Sequence, residues 1–265
     1  MKQGSDLGRR ILFAIPLALL AVFLVASGGW IFAAGVATVG CICLHELYEL
    51  VAARRPLRLA GFAAVVGCIV AARLGGAEAV LFAAWLSLPV IFMLVAARPS
   101  LDGATDAILS TGLGVWWIAV ALAHAVLLRD LVHGGGIVLD ALAATFAGDT
   151  GAYFGGRAFG TKPLAARISP RKTVEGLAAG ALATLIAVFV ATLYQDWLAL
   201  GTALLIGVVV AILGPAGDLF ESLIKRDAGA KDAATTLGPH GGLLDRIDGV
   251  LFSIVGVYWV WHLLG

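Results

Sequence analysis

Charge is what this chain has least of. Asp, Glu, Lys and Arg make up 13% of its 265 residues, against about 25% in an ordinary soluble domain. A surface so poor in charge is not wetted on all sides, so lipid must solvate much of the fold. The formal net charge is +1, which removes any electrostatic argument for a nucleic-acid partner. Cysteine is also scarce. Cys41, Cys43 and Cys68 all sit inside apolar runs. They read as small buried hydrophobes, with no disulfide framework and no metal-ligand spacing. Long polar inserts, low-complexity tracts and internal repeats are missing too. The chain therefore reads as a single integral-membrane domain, 1–265.

What remains is apolar: 61% of residues, with a mean hydropathy of +0.99. A spanning helix needs about 20 mostly apolar residues. Runs of that kind occupy 11–27, 30–50, 59–73, 78–97, 109–128, 137–156, 174–194, 197–214 and 249–264. The third and last are short, which suits a tilted, extended or partly re-entrant segment. The expected fold is all-α and polytopic, with about nine transmembrane helices. Arg9-Arg10, the apolar stretch after them and Ala26-Ser27-Gly28 resemble a signal peptide. The length of that stretch and the further runs behind it favour a retained first span.

The basic residues give the orientation. With the N-terminus placed in the cytoplasm, all of the 18 Lys and Arg residues except Arg73 and Arg129 fall on the inner side. The inner side then holds two polar regions, the expected cytoplasmic loops 157–173 and 215–248. Residues 1–135 would form N-terminal spans of uncertain role, and 136–265 the catalytic spans.

Candidate chemistry lies in these polar regions. Gly214-Pro215 is expected to kink or break the eighth span. Beyond it, Asp218, Ser222 and Lys225 recur at i, i+4 and i+7 and share a helical face. A carboxylate, a hydroxyl and an ammonium on one face suit an ion-phosphate site, and equally a solvated cytoplasmic helix. A short polar segment with Lys231-Asp232 follows. Gly238-Pro239-His240-Gly241-Gly242 then makes a tight turn whose glycines allow backbone N–H groups close to a phosphate. Asp245 and Asp248 lie three apart and can face one point on a helix. Hard oxygen ligands of this kind suit Mg²⁺, which often uses one or two carboxylates plus substrate phosphates.

Two carboxylates stand inside the sixth run. An ionisable group in a membrane helix is costly and usually faces a polar interior. Asp149, one to two turns from the inner end, fits a pocket entered from the cytosol. Asp140, near the outer end, reads as solvated. In the following connection, Ser169-Pro170 looks like a helix N-terminus. Arg171 and Lys172 would lie at headgroup level, as a positive-inside anchor or a grip on a phosphate. His45-Glu46-Leu47-Tyr48-Glu49 begins like a zinc-protease motif, but Glu49 stands where the second His belongs. Glu46 and Glu49 read as interfacial or supporting groups.

The stretch 222–248 resembles the signature of the phosphatidate cytidylyltransferases, or CDP-diacylglycerol synthases. Ser222, Lys225-Arg226, Lys231-Asp232, His240-Gly241-Gly242, Asp245-Arg246 and Asp248 carry the match. Upstream, Asp149, Tyr153, Gly156-Arg157 and Ile168–Gly176 look similar as well. Two positions depart from the family pattern. Gly238-Pro239 replaces a Pro-Gly order, and Val174 stands where an aromatic is common. Neither removes a charged group.

The resemblance implies that CTP and phosphatidate yield CDP-diacylglycerol and pyrophosphate. It implies Mg²⁺ on Asp218, Asp245 and Asp248 with Asp149 nearby, and it leaves room for a further divalent or a monovalent cation. Lys225, Arg226 and Lys231 would bind CTP phosphates. Arg171 and Lys172 would contact phosphatidate or CTP, with Ser222 beside them. His240, Gly241 and Gly242 would shape the phosphate pocket, and Asp232 and Arg246 complete the catalytic set. The same resemblance implies a homo-oligomer, a dimer, in a bacterial inner membrane with its site facing the cytoplasm. The rivals are a CTP-dependent lipid kinase, a transporter of an anionic solute and a catalytically silent scaffold.

Overall fold

The computed structural model describes residues 3–230, 233–234 and 241–264, without the side chains of 3–14. Lys231, Asp232 and His240 lie outside the described residues. The order is α1 Gln3–Ser27, α2 Gly29–Leu50, a 3₁₀ turn Ala52–Arg54, α3 Arg58–Ala96 and α4 Ala104–Gly114. A π-helical turn, Val115–Ala119, joins α4 to α5 Val120–Asp130. Then come α6 Gly134–Phe159, β1 Pro163–Ala165, β2 Ser169–Thr173, α7 Val174–Thr192, α8 Leu200–Asp227 and α9 Leu244–Leu264.

Six helical segments are long and apolar enough to cross a membrane: α2, α3, α4 through α5, α7, α8 and α9. The 22 residues of α2 make about 33 Å at 1.5 Å per residue, close to the hydrocarbon thickness of a bilayer. The protein is an integral membrane protein. Within α6, Asp140, Asp149 and several glycines dilute the apolar content, so this 26-residue helix falls outside that set.

Helix α3 has 39 residues, with Gly76 at φ 72° and ψ −163°. Only glycine takes that conformation readily. A straight helix of that length would hold its ends about 58 Å apart. Instead, Arg98 Nη2 donates to Arg55 O at 3.3 Å. The two arms of α3 therefore run back antiparallel, as the separate runs 59–73 and 78–97 suggest.

Charges collect at the two ends of the bundle. At one end Arg73 pairs with Asp130 and its guanidinium sits 5.5 Å from the Trp30 ring centre. At the opposite end Arg54 pairs with Asp227. The core between them is built around α5, whose residues Val120 to Leu128 are all buried.

The fold is nearly all-α, as expected. The sheet among the described residues is a small antiparallel hairpin of β1 and β2, with Pro163 opposite Thr173 and Ala165 opposite Ser169. Ser169-Pro170 is thus the start of a strand, not of a helix. Proline suits an edge strand, and Thr173 caps α7 by accepting from Gly176 N at 3.1 Å. Nor is 215–248 all loop. Helix α8 continues through Pro215 to Asp227.

Candidate active site

Continuation of α8 past Pro215 creates the first half of the site. Asp218, Glu221, Ser222 and Lys225 lie at i, i+3, i+4 and i+7, on one helical face. Ser222 Oγ is 3.5 Å from Asp218 Oδ1. Glu221 was not singled out in the sequence, yet it is fully buried. Lys225 Nζ donates to Glu221 Oε2 at 2.6 Å and to Asp245 Oδ1 at 2.7 Å. The ammonium thus bridges α8 to the first turn of α9.

The Asp245–Asp248 pair does not converge on one point. Asp245 turns toward the loop before α9. It accepts from Ala233 N at 3.1 Å and from Gly242 N at 2.7 Å, besides Lys225. Asp248 turns inward instead. It is buried, contacts the Glu221 carboxyl group, and feels the charge of Asp218. Carboxyl groups this close need a proton or a cation between them. The glycines of the turn are explained by the same packing. Gly241 has φ 79°, and a Cβ on Gly242 would come within 2.6 Å of Glu46 Oε2. The Gly242 N–H, expected to face a phosphate, is committed to Asp245.

Glu46 comes from α2, far away in sequence. It is fully buried and accepts from Leu243 N at 2.9 Å and Leu244 N at 2.7 Å. These are unsatisfied donors at the start of α9, and a carboxylate at a helix N-terminus is favourable. The supporting role read from the sequence is therefore specific: Glu46 caps α9 and sets where Asp245 and Asp248 begin.

The second half is a cavity of about 560 Å³ lined mainly by α6, α7, α8 and β2. Asp149 enters it from α6, Asp218 from α8, and Arg171 and Lys172 from β2, with Arg157 beside them. Lys172 pairs with Asp218, and Asp149 lies within the field of both. Arg157, part of the upstream motif in the sequence, also lines the cavity. The hairpin is pinned in place from two sides. Glu175 accepts from Thr161 N at 3.0 Å and Lys162 N at 3.2 Å, and Arg226 Nε donates to Ile168 O at 3.2 Å. Arg226 thereby steadies the strand that carries Arg171 and Lys172. Arg246 is exposed at the start of α9.

Close helix contacts bring these groups together. A Cβ on Gly217 would fall 2.4 Å from Asp248 O, so α8 and α9 meet where the carboxylates are. A Cβ on Gly155 would fall 2.2 Å from Ala179 Cβ, which marks the equally close approach of α6 and α7. Asp140 is not solvated as expected: it is buried and accepts from Gln195 Nε2 at 3.0 Å, away from the cavity.

Among the described residues, no three acidic, His or Cys side chains form a group that could hold a metal ion by themselves. Asp149, Asp218, Asp248 and Glu221 are acidic groups that feel one another's charge here, and Glu221 Oε1 is buried without a hydrogen-bond partner. Carboxylate oxygens are the ligand type a hard divalent cation takes, one or two at a time, with water and substrate phosphate oxygens in the rest of its shell.

Membrane helices that carry carboxylates and basic side chains into one cavity at a bundle end define a class: integral membrane enzymes acting on phosphate-bearing substrates. The chain belongs to the Cytidylyltransferase family, which matches residues 8–264. It is 30% identical to the phosphatidate cytidylyltransferase of Mycobacterium bovis over 99% of this chain and 90% of the relative. Phosphatidate cytidylyltransferase 5, chloroplastic, of Arabidopsis thaliana is 28% identical over 95% of this chain and 71% of its own. The Thermotoga maritima phosphatidate cytidylyltransferase is 41% identical over 49% of this chain and 51% of its own.

Proposed function

We propose that this protein is a phosphatidate cytidylyltransferase: it transfers CMP from CTP to phosphatidate, giving CDP-diacylglycerol and pyrophosphate. The observation that carries the reading is the cavity where Asp149, Asp218, Arg171 and Lys172 meet at the end of an apolar bundle. A water-soluble nucleotide and a leaflet-bound lipid can both reach such a place.

In this reaction an oxygen of the lipid phosphate forms a bond to the α-phosphorus of CTP. The bond from that phosphorus to the bridging oxygen breaks, and pyrophosphate leaves with the electron pair. No protein nucleophile is needed. The obstacle is the approach of two anions and the charge that grows on the leaving group.

Arg171 and Arg157 bind the lipid phosphate at the cavity mouth. Lys172 compensates Asp218 until substrate arrives, then turns to a phosphate oxygen. Asp149, Asp218 and Asp248 would hold Mg²⁺, with Glu221 behind them; bound there, it would supply charge neutralisation of the phosphate oxygens and polarisation of the α-phosphorus. Lys225 is held between Glu221 and Asp245, so it positions the loop and supplies positive charge beside the CTP phosphates. Arg226 and Arg246 add to that field, and Gly241 and Gly242 shape the turn over it. Lys231, Asp232 and His240, in the same stretch, remain in the assigned set through the family signature.

The wider reading has α1, α2, the two arms of α3, α4 with α5, α6, α7, α8 and α9 as nine crossings. The positive-inside bias supports a cytoplasmic N-terminus and a cytoplasmic site, and the bacterial relatives support an inner membrane. Residues 136–265 carry the catalytic groups, 1–135 buttress them through Glu46, and the assembly is a homodimer. The test is turnover by the purified protein with CTP, phosphatidate and Mg²⁺. Pyrophosphate and CDP-diacylglycerol in equal amounts support the reading. CDP together with a phosphorylated lipid would replace it with a lipid kinase.

A further inference from the structure

Asp248 on α9 feels the like charge of Asp218 and Glu221 on α8. Without a cation between them, that repulsion works to part the two helices. Two contacts oppose it. One is the close approach of α8 and α9 at Gly217. The other is a row of three aromatic rings. Trp117 meets Phe220 of α8 edge to face, with ring centres 4.9 Å apart and planes at 85°. Phe220 meets Phe252 of α9 with ring centres 5.3 Å apart. Both distances lie in the favourable range for aromatic pairs. Phe220 stands between Asp218 and Glu221 in the chain, directly before Glu221. Phe252 follows Asp248 at i+4, on the same face of α9. The row therefore reaches both acidic helices from a third element.

That third element is the π-helical turn Val115–Ala119. Turns of this kind are rare and recur at functional sites. Here the turn holds two adjacent tryptophans in opposite settings: Trp117 is 5% exposed and Trp116 is 53% exposed. Gly114, directly before the turn, packs against α2, where a Cβ would fall 2.3 Å from Leu44 Cδ1. Helix α2 also supplies Glu46, the cap of α9. The turn is thus wedged between the helix that caps α9 and the helix that carries Asp218. Trp117 is retained there at a cost. Its indole N–H is buried with no hydrogen-bond acceptor among the described residues. An indole nitrogen can only donate, and a buried donor left unpaired is unfavourable. A phenyl ring would avoid that penalty, so packing of the ring outweighs it.

We propose that Trp117 is a positioning residue for the metal: through Phe220 it fixes the rotation of α8 about its own axis and keeps Asp218 and Glu221 facing Asp248. This rests on the reading of those carboxylates as the cation's ligands and extends it to a residue of the N-terminal half, remote from the polar stretches. Loss of the ring frees α8 to turn, and the repelling carboxylates then separate. The consequence is weaker metal binding, ahead of any change in how the substrates are held.

The experiment measures Mn²⁺ binding to the full-length protein in detergent by electron paramagnetic resonance, without substrate, and the Mg²⁺ concentration for half-maximal turnover. Trp117→Ala should weaken Mn²⁺ binding on the order of tenfold, the scale for groups that orient metal ligands. It should raise the Mg²⁺ requirement by a similar factor. Trp117→Phe keeps a ring against Phe220 and should return both values most of the way to wild type. Trp116→Ala should change neither. A folded Trp117→Ala protein that binds Mn²⁺ as wild type does overturns the inference, however much its stability or turnover has dropped. So does an equal effect of Trp116→Ala. If Trp117→Ala does not fold, Phe220→Leu, which breaks the same row on α8, decides: weaker Mn²⁺ binding supports the inference and unchanged binding overturns it. Wild-type protein that binds no Mn²⁺ also overturns it. Wild-type protein that binds Mn²⁺ but transfers no CMP refutes the proposed function instead, so the two failures are distinguishable.

Discussion

Lys225 on α8 and Asp245 on α9 are joined at 2.7 Å, and the carboxylate of that pair also holds the backbone of Ala233 and Gly242. Asp245 thus ties Ala233 and Gly242 to α8, while Asp248 is buried and feels the charges of Asp218 and Glu221. The two acidic residues of α9 therefore stand in different surroundings, which a single run of acidic residues does not distinguish.

That separation is measurable in the metal dependence. Asp218→Asn and Asp248→Asn should raise the Mg²⁺ concentration needed for half-maximal turnover and lower kcat severely. Asp245→Asn should lower kcat about 10- to 100-fold, the scale for groups that orient ligands, with the Mg²⁺ requirement unchanged. A Mg²⁺ titration of the three purified variants checks the difference.

Breaking the Lys225 bridge has its own signature. Lys225→Met leaves Glu221 and Asp245 facing each other with no cation between them. Removing one partner of a buried pair costs about 3–5 kcal/mol. The variant should melt earlier than wild type in detergent and lose turnover. Lys225→Met/Glu221→Gln should recover part of the stability without recovering full activity.

Much of this was legible in the sequence, and the reason is local. Hydropathy placed apolar runs where six of the membrane-length helices lie, since a 20-residue apolar run carries its meaning within itself. The shared face of Asp218, Ser222 and Lys225 followed from helical spacing alone. Three features depended on distant partners and did not show. Glu221 looks like a surface charge until α9 buries it. Ser169-Pro170 looks like a helix start until Pro163–Ala165 pairs with that segment. Glu46 gains its role only where α2 meets the start of α9.

Glu46 supplies a third test. Glu46→Ala strips a buried acceptor from two backbone donors, and each unsatisfied group costs about 1–3 kcal/mol. Thermal stability should fall by that order, with a loss of kcat and little change in the KM for CTP. Glu46→Gln, which keeps one acceptor oxygen, should restore stability more than activity.

Arg171 lines the mouth of the cavity, and Lys172 beside it pairs with Asp218. Arg171→Ala should raise the KM for phosphatidate more than that for CTP. Lys172→Ala should instead lower kcat, since Asp218 loses its counter-charge. Steady-state kinetics varying one substrate at a time checks both.

Gly217 tests the helix contact itself. Gly217→Ala puts a Cβ 2.4 Å from the backbone of Asp248, so α8 and α9 must part. Turnover should fall steeply although no charged group is altered, while Gly201→Ala, at a position with open space around it, should leave turnover unchanged.

The most direct measurement follows CTP labelled either at the α- or at the γ-phosphorus, with purified protein, phosphatidate and Mg²⁺. The account predicts that α-label enters the lipid with one pyrophosphate released per lipid labelled, and that Asp218→Asn severely reduces the transfer. Entry of γ-label into the lipid, or full transfer by a folded Asp218→Asn protein, would contradict it.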